Sequence, residues 1–195
     1  MSSAPDPIAV TLLVTHALDD LQIPYLVVGS LAAAYYGVSR SSLDSDIVVD
    51  LDLKKIPVLL KRLGGDFTVD ELMAQDAVRR QASFNLIHRP TMFKVDVFIA
   101  KRRPFDRAQL ERRRSLKFDT EGQTAFLASA EDTILAKLEW YRLGNETSDR
   151  QWQDILGILK VQEDKLDLVL LEDWAARIGV ANLLNRAIEE TKRNG

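Results

Sequence analysis

The chain has 195 residues, enough to enclose one sizeable hydrophobic core or one core with a smaller helical appendage. Hydrophobic residues make up 46% of it and charged residues 28%, proportions that exclude disordered, fibrous and membrane-spanning proteins. The absence of cysteine excludes disulfides, thiolate nucleophiles and cysteine-based zinc sites, and the net charge of −3 argues against a protein that coats nucleic acid through bulk charge.

The sequence shows no sign of membrane insertion or export. No apolar run approaches the roughly 20 residues that a membrane-spanning helix needs. Residues Met1 to Pro7 lack the charged-then-apolar layout of a secretory signal. We therefore expect a cytoplasmic protein without membrane partners.

Apolar periodicity in the first part of the chain predicts helices alternating with short strands. In order, the predicted elements are a helix over Ile8–Leu21, a strand over Tyr25–Val28, a helix over Leu31–Tyr36, a strand over Asp46–Leu51, and helices over Pro57–Leu63 and Asp70–Gln81. Alternating apolar residues then predict two hairpins, joining Ala82–His88 to Phe93–Ile99 and Arg113–Phe118 to Thr124–Leu127. These elements predict an α/β (α+β) domain with a mixed β-sheet flanked by helices.

After Ala128 the pattern becomes helical. Ser129, followed three residues later by Asp132, resembles a capping box that opens a helix. Helices are predicted from this box to Leu143, from Ser148 to Val161 and, as two more, between Leu166 and Thr191. We therefore predict a core domain over residues 1–128 and a C-terminal helical subdomain over residues 129–195.

A Gly-Ser turn connects the first strand to the helix that follows. Gly29 lets a phosphate approach the backbone, and the free N–H groups at the start of a helix favour anions. Gly29 and Ser30 are therefore candidate phosphate-binding residues. The alternative is a tight connection between packed elements.

Three aspartates are candidate metal ligands. Asp44 and Asp46 are two residues apart, so on a strand both project to one face and can chelate a hard cation. Asp96 is opposite in parity to the β-branched residues around it, where a carboxylate is costly unless paired, metal-bound or on a wet face. If the two strands are neighbours, the three carboxylates form a magnesium site. The alternatives are a loop position for Asp44 with Asp46 on a solvated surface, and an exposed sheet face for Asp96.

The segment from Lys101 to Lys117 is strongly basic. It carries eight lysine and arginine residues against two acidic residues, a local charge of +6 that leaves −9 for the rest of the chain. Because lysine and arginine bind nucleic-acid phosphates, this segment is a candidate path for an RNA acceptor. The alternative is a solubilising basic surface.

Together these features resemble the nucleotidyltransferase superfamily (polymerase β-like fold), and within it the AbiEii-type and related minimal nucleotidyltransferases. The family's apolar-Gly-Ser, spacer, Asp-x-Asp signature is similar to Val27-Val28-Gly29-Ser30, Gly37, Arg40, Ser42, Asp44, Asp46 and Ile47. Its third-carboxylate strand is similar to Val95-Asp96-Val97, and its helical lysine and aspartate motifs to Ser129–Asp132, Lys137-Leu138 and Asp149–Ile155. The helix over Leu31–Tyr36 lacks the Ala-Arg-Gly of the antitoxin-like members, which disfavours that subgroup.

The resemblance implies an Mg²⁺-dependent enzyme that transfers a nucleoside monophosphate from a nucleoside triphosphate, such as ATP, to a hydroxyl of RNA, a protein or a small molecule. Two Mg²⁺ ions, or Mn²⁺ in their place, would be held by Asp44, Asp46 and Asp96. It also implies the toxin-type component of a toxin-antitoxin system, with a cognate partner protein. The alternative is a catalytically inactive nucleotide-binding or partner-protein module with the same fold.

The resemblance further implies that Arg40 and Lys137, with the Gly-Ser turn, bind the nucleotide, and that Asp154 has a catalytic or structural role. Arg40 lies between a helix and a strand, where a surface position is the alternative. Lys137 flanks an apolar helical stripe, from which its side chain can reach a cleft or remain solvated. Asp154 projects opposite the stripe through Trp152, so periodicity alone predicts an exposed side chain.

Overall fold

The computed structural model describes residues 6–38, 42 and 44–193. Over these ranges the chain forms two compact units. One comprises the described residues of Met1–Leu31 and Ser41–Leu127, and the other those of Ala32–Arg40 and Ala128–Gly195. None of the helices in the described ranges is long and apolar enough to cross a membrane.

The described part of the first unit contains a seven-stranded mixed sheet. Its strands are β1 (Tyr25–Val28), β2 (Asp44–Val49), β3 (Phe67–Thr68), β4 (Ser83–His88), β5 (Phe93–Ile99), β6 (Arg114–Lys117) and β7 (Thr124–Leu127). They lie in the order β3-β4-β5-β2-β1-β7-β6. The pairs β2–β5 and β1–β7 are parallel and the other neighbours antiparallel. The predicted mixed sheet flanked by helices is confirmed.

Four helices of this unit are α1 (Pro7–Asp20), α3 (Ile56–Leu63), α4 (Glu71–Arg80) and α5 (Pro104–Arg112), and α2 (Gly29–Tyr35) begins in this unit and ends in the second. Side chains cap two of them, since Asp6 accepts a hydrogen bond from the Ile8 amide and Asp70 from the Met73 amide. Buried apolar side chains of α1, α3 and α4 form one hydrophobic core with one face of the sheet. Side chains alternate between the two faces along each strand, and this alternation determines which residues lie on the core face.

The alternation along β2 and β5 separates a core face from a polar face. Ser45, Ile47 and Val49 are fully buried in β2, while Asp44 and Asp46 face the other way and are only partly buried. Strand β5 repeats the pattern, with its apolar residues Val95 and Val97 buried. Because side chains alternate along a strand with a period of two, the carboxylates lie on the partly exposed face while the same strands contribute to the core.

The second unit contains α6 (Ala130–Leu143), α7 (Asp149–Gln162), α8 (Leu168–Arg177) and α9 (Ala181–Arg193). Helix α6 packs against α7 and α8, and both of these pack against α9. The Ser129 hydroxyl accepts from the Asp132 amide at 3.1 Å and caps α6 as predicted. Tyr36 joins this unit through its hydroxyl, which donates to the Ala128 carbonyl at 2.8 Å.

The structure differs from the predicted elements chiefly at four places, besides shifts of one or two residues at other element ends. Strand β2 begins at Asp44 rather than Asp46, and α2 begins two residues earlier than predicted, at Gly29. Helix α5 was not predicted, because it buries only Phe105 and Gln109 and so lacks an apolar stripe. Strand β3 was not predicted either, since two residues are too few to show a period.

Candidate functional site

Strands β2 and β5 bring three carboxylates to one face of the sheet. Their parallel register pairs Asp44 with Lys94 and Asp46 with Asp96. Because paired residues of neighbouring strands project to the same side, the three aspartates share that face. The Asp44 side chain is 40% exposed and that of Asp96 is 16% exposed. The alternative that Asp44 belongs to a loop is wrong, since it is the first residue of β2.

The turn after β1 places Gly29 beside Asp46. In the antiparallel β1–β2 ladder, Val28 is the partner of Asp46, and Gly29 follows it directly. Gly29 has a φ of +66°, and a Cβ at this position would overlap Asp46 Oδ2 and lie 2.8 Å from Asp46 Cγ. Both the backbone conformation and the close carboxylate therefore require glycine here.

Hydrogen bonds connect the same turn to Asp44. The buried hydroxyls of Ser30 and Ser42 lie 2.6 Å apart. Ser42 Oγ donates to the Asp44 carbonyl at 2.7 Å and lies 3.4 Å from Asp44 Oδ1. Because a serine hydroxyl has a single proton, Ser30 is the donor to Ser42. This chain of bonds fixes the start of β2, and sequence analysis assigned no role to Ser42.

A lysine lies among the carboxylates. Lys94 Nζ is 2.7 Å from Asp96 Oδ2 and 3.8 Å from Asp44 Oδ2. The hydrogen bond with Asp96 raises the pKa of Lys94. Burial acts in the opposite direction and lowers this pKa, whereas the negative charges of Asp96, Asp44 and Asp46 raise it further. Lys94 was not among the predicted site residues, although its parity with Asp96 in β5 is sufficient to place it on the same face.

The chemistry of this face suits a hard divalent cation. Carboxylate oxygens are the ligands that Mg²⁺ prefers in proteins. Across the described ranges, no three acidic or histidine side chains converge in an arrangement that could hold a metal ion. The position between Asp44 and Asp96 holds a cation nonetheless, namely the Lys94 ammonium. The carboxylates are ligands of the type that the predicted ion prefers, and its binding stays a prediction.

Lys137 and Asp154 form a buried ion pair in the second unit. Lys137 Nζ donates to Asp154 Oδ2 at 2.8 Å and to Gln151 Oε1 at 3.2 Å. The two charged side chains are 6% and 3% exposed. The expectation of an exposed Asp154 and the alternative of a solvated Lys137 are both wrong, because each charge compensates the burial of the other. Their functional roles stay predictions, and Arg40 lies outside the described residues.

The basic segment contains α5 and β6, and some of its cations have structural partners. Arg103 binds Asp106 through two nitrogens, at 2.7 and 3.0 Å. The Arg113 guanidinium lies 4.7 Å from the centre of the Phe126 ring and donates to the Leu110 carbonyl. The exposed cations of the segment are Lys101, Arg102, Arg103, Arg107, Arg114 and Lys117.

A small cavity of about 220 Å³ lies at the start of β1, lined by Asp19, Gln22, Ile23, Pro24, Tyr25, Arg113 and Phe126. Tyr25 donates its hydroxyl proton to Asp19 at 3.0 Å, and burial raises the pKa of the Tyr25 phenol above its ordinary range. The cavity contains none of the three aspartates and is smaller than the roughly 300–1,000 Å³ of typical ligand pockets. We therefore place the candidate site at the carboxylates.

Comparison with known proteins shows where this architecture recurs. No protein-family model matches the sequence, and no curated protein matches it. Among solved structures, an antigenic nucleotidyltransferase-like protein from Paracoccidioides brasiliensis is 18% identical, with a TM-score of 0.56 over 95% of this chain and 94% of that one. The antibiotic-resistance factor ANT(2'')-Ia is 12% identical, with a TM-score of 0.57 over 92% and 96% of the two chains. The chain has the nucleotidyltransferase fold.

A third structure of this fold is the lincosamide antibiotic adenylyltransferase LnuA bound to lincomycin. It is 12% identical to this chain, with a TM-score of 0.52 over 81% of this chain and 98% of LnuA. The nucleotidyltransferase fold that the sequence resemblance implies is therefore confirmed. In this chain, the candidate site combines the register of β2 and β5, the glycine beside Asp46 and the lysine between Asp44 and Asp96.

Proposed function

We propose that this protein is a nucleotidyltransferase in which Asp44, Asp46 and Asp96 bind divalent metal ions at the phosphates of a nucleoside triphosphate. The observation that carries the proposal is the register of β2 and β5, which sets Asp46 beside Asp96 with Asp44 on the same face. Three like charges on one face are unfavourable unless cations join them. We propose two Mg²⁺ ions, for which Mn²⁺ can substitute, because both prefer oxygen ligands.

In the proposed reaction, an acceptor hydroxyl oxygen forms a bond to the α-phosphorus of the nucleotide. The bond from the α-phosphorus to the oxygen shared with the β-phosphate breaks, pyrophosphate leaves, and the hydroxyl proton passes to solvent. Bound divalent ions supply positive charge for the phosphates and for the ionising hydroxyl. The chain itself would hold the ligand oxygens in place through the β2–β5 register and through the Ser42 hydrogen bond to the Asp44 backbone carbonyl at the start of β2.

The proposed phosphate contacts are Gly29, Ser30, Arg40 and Lys137. The position of the Gly29-Ser30 turn supports its proposed role in phosphate binding, since Gly29 lies against the Asp46 carboxylate. Ser30 would exchange its bond with Ser42 for one to a phosphate oxygen. The resemblance to nucleotidyltransferases supports Arg40 and Lys137. Lys137 would then have to leave its ion pair with Asp154 or act through it.

For the acceptor, we propose RNA, bound through the basic segment Lys101–Lys117. Six of its cations are exposed, and such residues bind phosphates of an anionic chain. A small-molecule hydroxyl is the second candidate, favoured by the structural similarity to LnuA, which is bound to lincomycin. The salt dependence of acceptor binding distinguishes RNA from a small molecule, because binding that relies on contacts to many phosphates weakens steeply as the salt concentration rises.

We further propose that the protein is of the AbiEii type and acts as the toxin component beside a cognate partner protein. The support is the sequence resemblance around Ser129–Asp132, Lys137 and Asp149–Ile155. The buried pair of Lys137 and Asp154 gives these two motif residues a shared position in the second unit. Loss of bacterial growth on expression, relieved by a protein encoded next to it, is the expected behaviour.

The experiment that tests the activity uses each nucleoside triphosphate labelled on its α-phosphate, with Mg²⁺ and either total tRNA, cell lysate or a panel of hydroxylated small molecules. We expect label on one acceptor class with the wild type and none with Asp46→Asn. Ser45→Ala is the matched control, because Ser45 lies between the two aspartates but faces the core. Nucleotide binding without transfer by the wild type contradicts the proposal and supports an inactive binding module of the same fold.

A further inference from the structure

The Lys94 ammonium contacts carboxylate oxygens that a divalent ion would need as ligands. It lies 2.7 Å from Asp96 Oδ2, a hydrogen-bonding distance, and 3.8 Å from Asp44 Oδ2, an ion-pair distance. Mg²⁺ binds carboxylate oxygens at about 2.1 Å and tolerates little departure from octahedral geometry. An ion bound by Asp44 and Asp96 would therefore meet the ammonium in the same small volume.

The backbone fixes Lys94 at this place while leaving its head group free to move. The parallel register sets Lys94 opposite Asp44, and its parity with Asp96 keeps it on the carboxylate face. The Lys94 side chain is 40% exposed. A flexible four-carbon stem lets the ammonium move from Asp96 towards solvent without any change in β5.

Formal charges give the direction of the effect. The three aspartates and Lys94 together carry −2, whereas the aspartates alone carry −3. The ammonium therefore lowers the repulsion among the carboxylates of the metal-free protein. The same positive charge repels an incoming divalent ion, so it weakens metal binding.

We propose that Lys94 is the internal counter-ion of this site: its ammonium neutralises Asp96 and Asp44 when no divalent ion is bound, and leaves Asp96 Oδ2 when one binds. This inference rests on the metal site of the proposed function. Lys94 is thus a positioning residue that stabilises the metal-free protein and sets the ion concentration at which the site fills.

The test measures Mn²⁺ affinity of the full-length protein by calorimetry and by the electron paramagnetic resonance of free Mn²⁺. Lys94→Met removes the charge and keeps the stem, so we expect Mn²⁺ to bind about tenfold more tightly than to the wild type, a change of about 1.4 kcal/mol. Lys94→Arg keeps the charge and should bind as the wild type does. Lys61→Met is the control for losing an exposed lysine elsewhere in the chain and should leave the affinity unchanged.

Thermal unfolding gives a readout that does not depend on activity. In EDTA, Lys94→Met should melt below the wild type, and saturating Mn²⁺ should remove that difference. Equal or weaker Mn²⁺ binding by Lys94→Met would overturn the counter-ion role. If the wild type, Lys94→Met and Asp96→Asn all fail to bind Mn²⁺, the proposed metal site itself is wrong.

A measurement on the wild type covers the case in which Lys94→Met does not fold. Acylation of lysine amines, read by mass spectrometry, should be slow at Lys94 in EDTA because its ammonium is bonded to Asp96. Adding Mg²⁺ should increase labelling at Lys94 several-fold relative to Lys117. No change at Lys94, in a protein that binds Mg²⁺, contradicts displacement of the ammonium.

Discussion

The Asp46 carboxylate fills the space that a side chain at residue 29 would need. A Cβ built on Gly29 overlaps Asp46 Oδ2 and lies 2.8 Å from Asp46 Cγ. The turn after β1 and the central aspartate of β2 are therefore one unit, since the antiparallel ladder pairs Val28 with Asp46. Any residue but glycine at position 29 must displace the carboxylate.

We predict that Gly29→Ala lowers the transfer rate about a hundredfold without unfolding the protein. A misplacement of about 1 Å in a catalytic group costs rate on this scale, and we propose that Asp46 is such a group. Gly64→Ala is a matched control, because Gly64 has the same φ of +66° and nothing within 4 Å of a built Cβ among the described residues. Both variants should lose about 1–3 kcal/mol of folding free energy, because alanine rarely adopts a φ of +66° and the ψ of −160° at Gly64 lies in a region that is essentially confined to glycine. Equal transfer rates for the two variants would contradict the steric link to Asp46.

We predict that Ser42→Ala weakens both stability and transfer. The Ser42 hydroxyl bonds to Ser30 and to the Asp44 carbonyl, and its removal leaves buried polar groups without that partner. Urea unfolding should show a loss of about 1–3 kcal/mol. Ser45→Ala should cost little, because Ser45 Oγ is buried and has no hydrogen-bond partner among the described residues. A larger loss for Ser45→Ala than for Ser42→Ala would refute this account.

We predict that breaking the Lys137–Asp154 pair is strongly destabilising. Lys137→Met leaves the 3%-exposed Asp154 carboxylate without its ammonium, at a cost of about 3–5 kcal/mol. The double variant Lys137→Met with Asp154→Leu should recover much of this loss. Arg177→Ala is the control, since its pair with Asp173 is exposed on both sides and should contribute under about 1 kcal/mol. Equal losses from Lys137→Met and Arg177→Ala would show that burial of the pair is unimportant.

We predict that Tyr25 makes stability fall at alkaline pH. Its pKa is raised in the folded protein, chiefly by burial, so the folded state keeps the phenol proton above the ordinary value of about 10. The resulting stabilisation is complete below pH 10 and is lost as the pH rises through the folded-state pKa. Tyr25→Phe should be less stable at pH 8 by about 1 kcal/mol and have a flatter profile above pH 10. Parallel urea-unfolding profiles for the two proteins between pH 9 and 11 would contradict this prediction.

Much of the fold could be predicted because its signals are local. The period of two in β2 and β5 assigns Ser45 and Val97 to the core and Asp46 and Asp96 to the opposite face. The Ser129 cap marks the start of α6 because a hydroxyl accepts a free amide there. These features depend on residues a few positions apart, so the sequence alone is sufficient to show them.

The remaining features depend on contacts between distant segments. Helical periodicity places Asp154 on the polar side of α7, but Lys137 of α6 supplies the charge that permits its burial. The bond from Ser30 to Ser42 likewise appears only when β1 and β2 are adjacent. Lys94 was overlooked because its alternation with apolar residues also fits a solvated strand face, and only the distance to Asp96 distinguishes the two.

The most direct test is diffraction from crystals grown with Mn²⁺ and a non-hydrolysable nucleoside triphosphate, recorded for anomalous scattering of manganese. We predict a manganese peak within about 2.3 Å of oxygens from Asp44, Asp46 and Asp96, in contact with the triphosphate. Such crystals with the nucleotide bound elsewhere, or with no manganese at these three carboxylates, would contradict the assignment of this face as the site of nucleotide transfer.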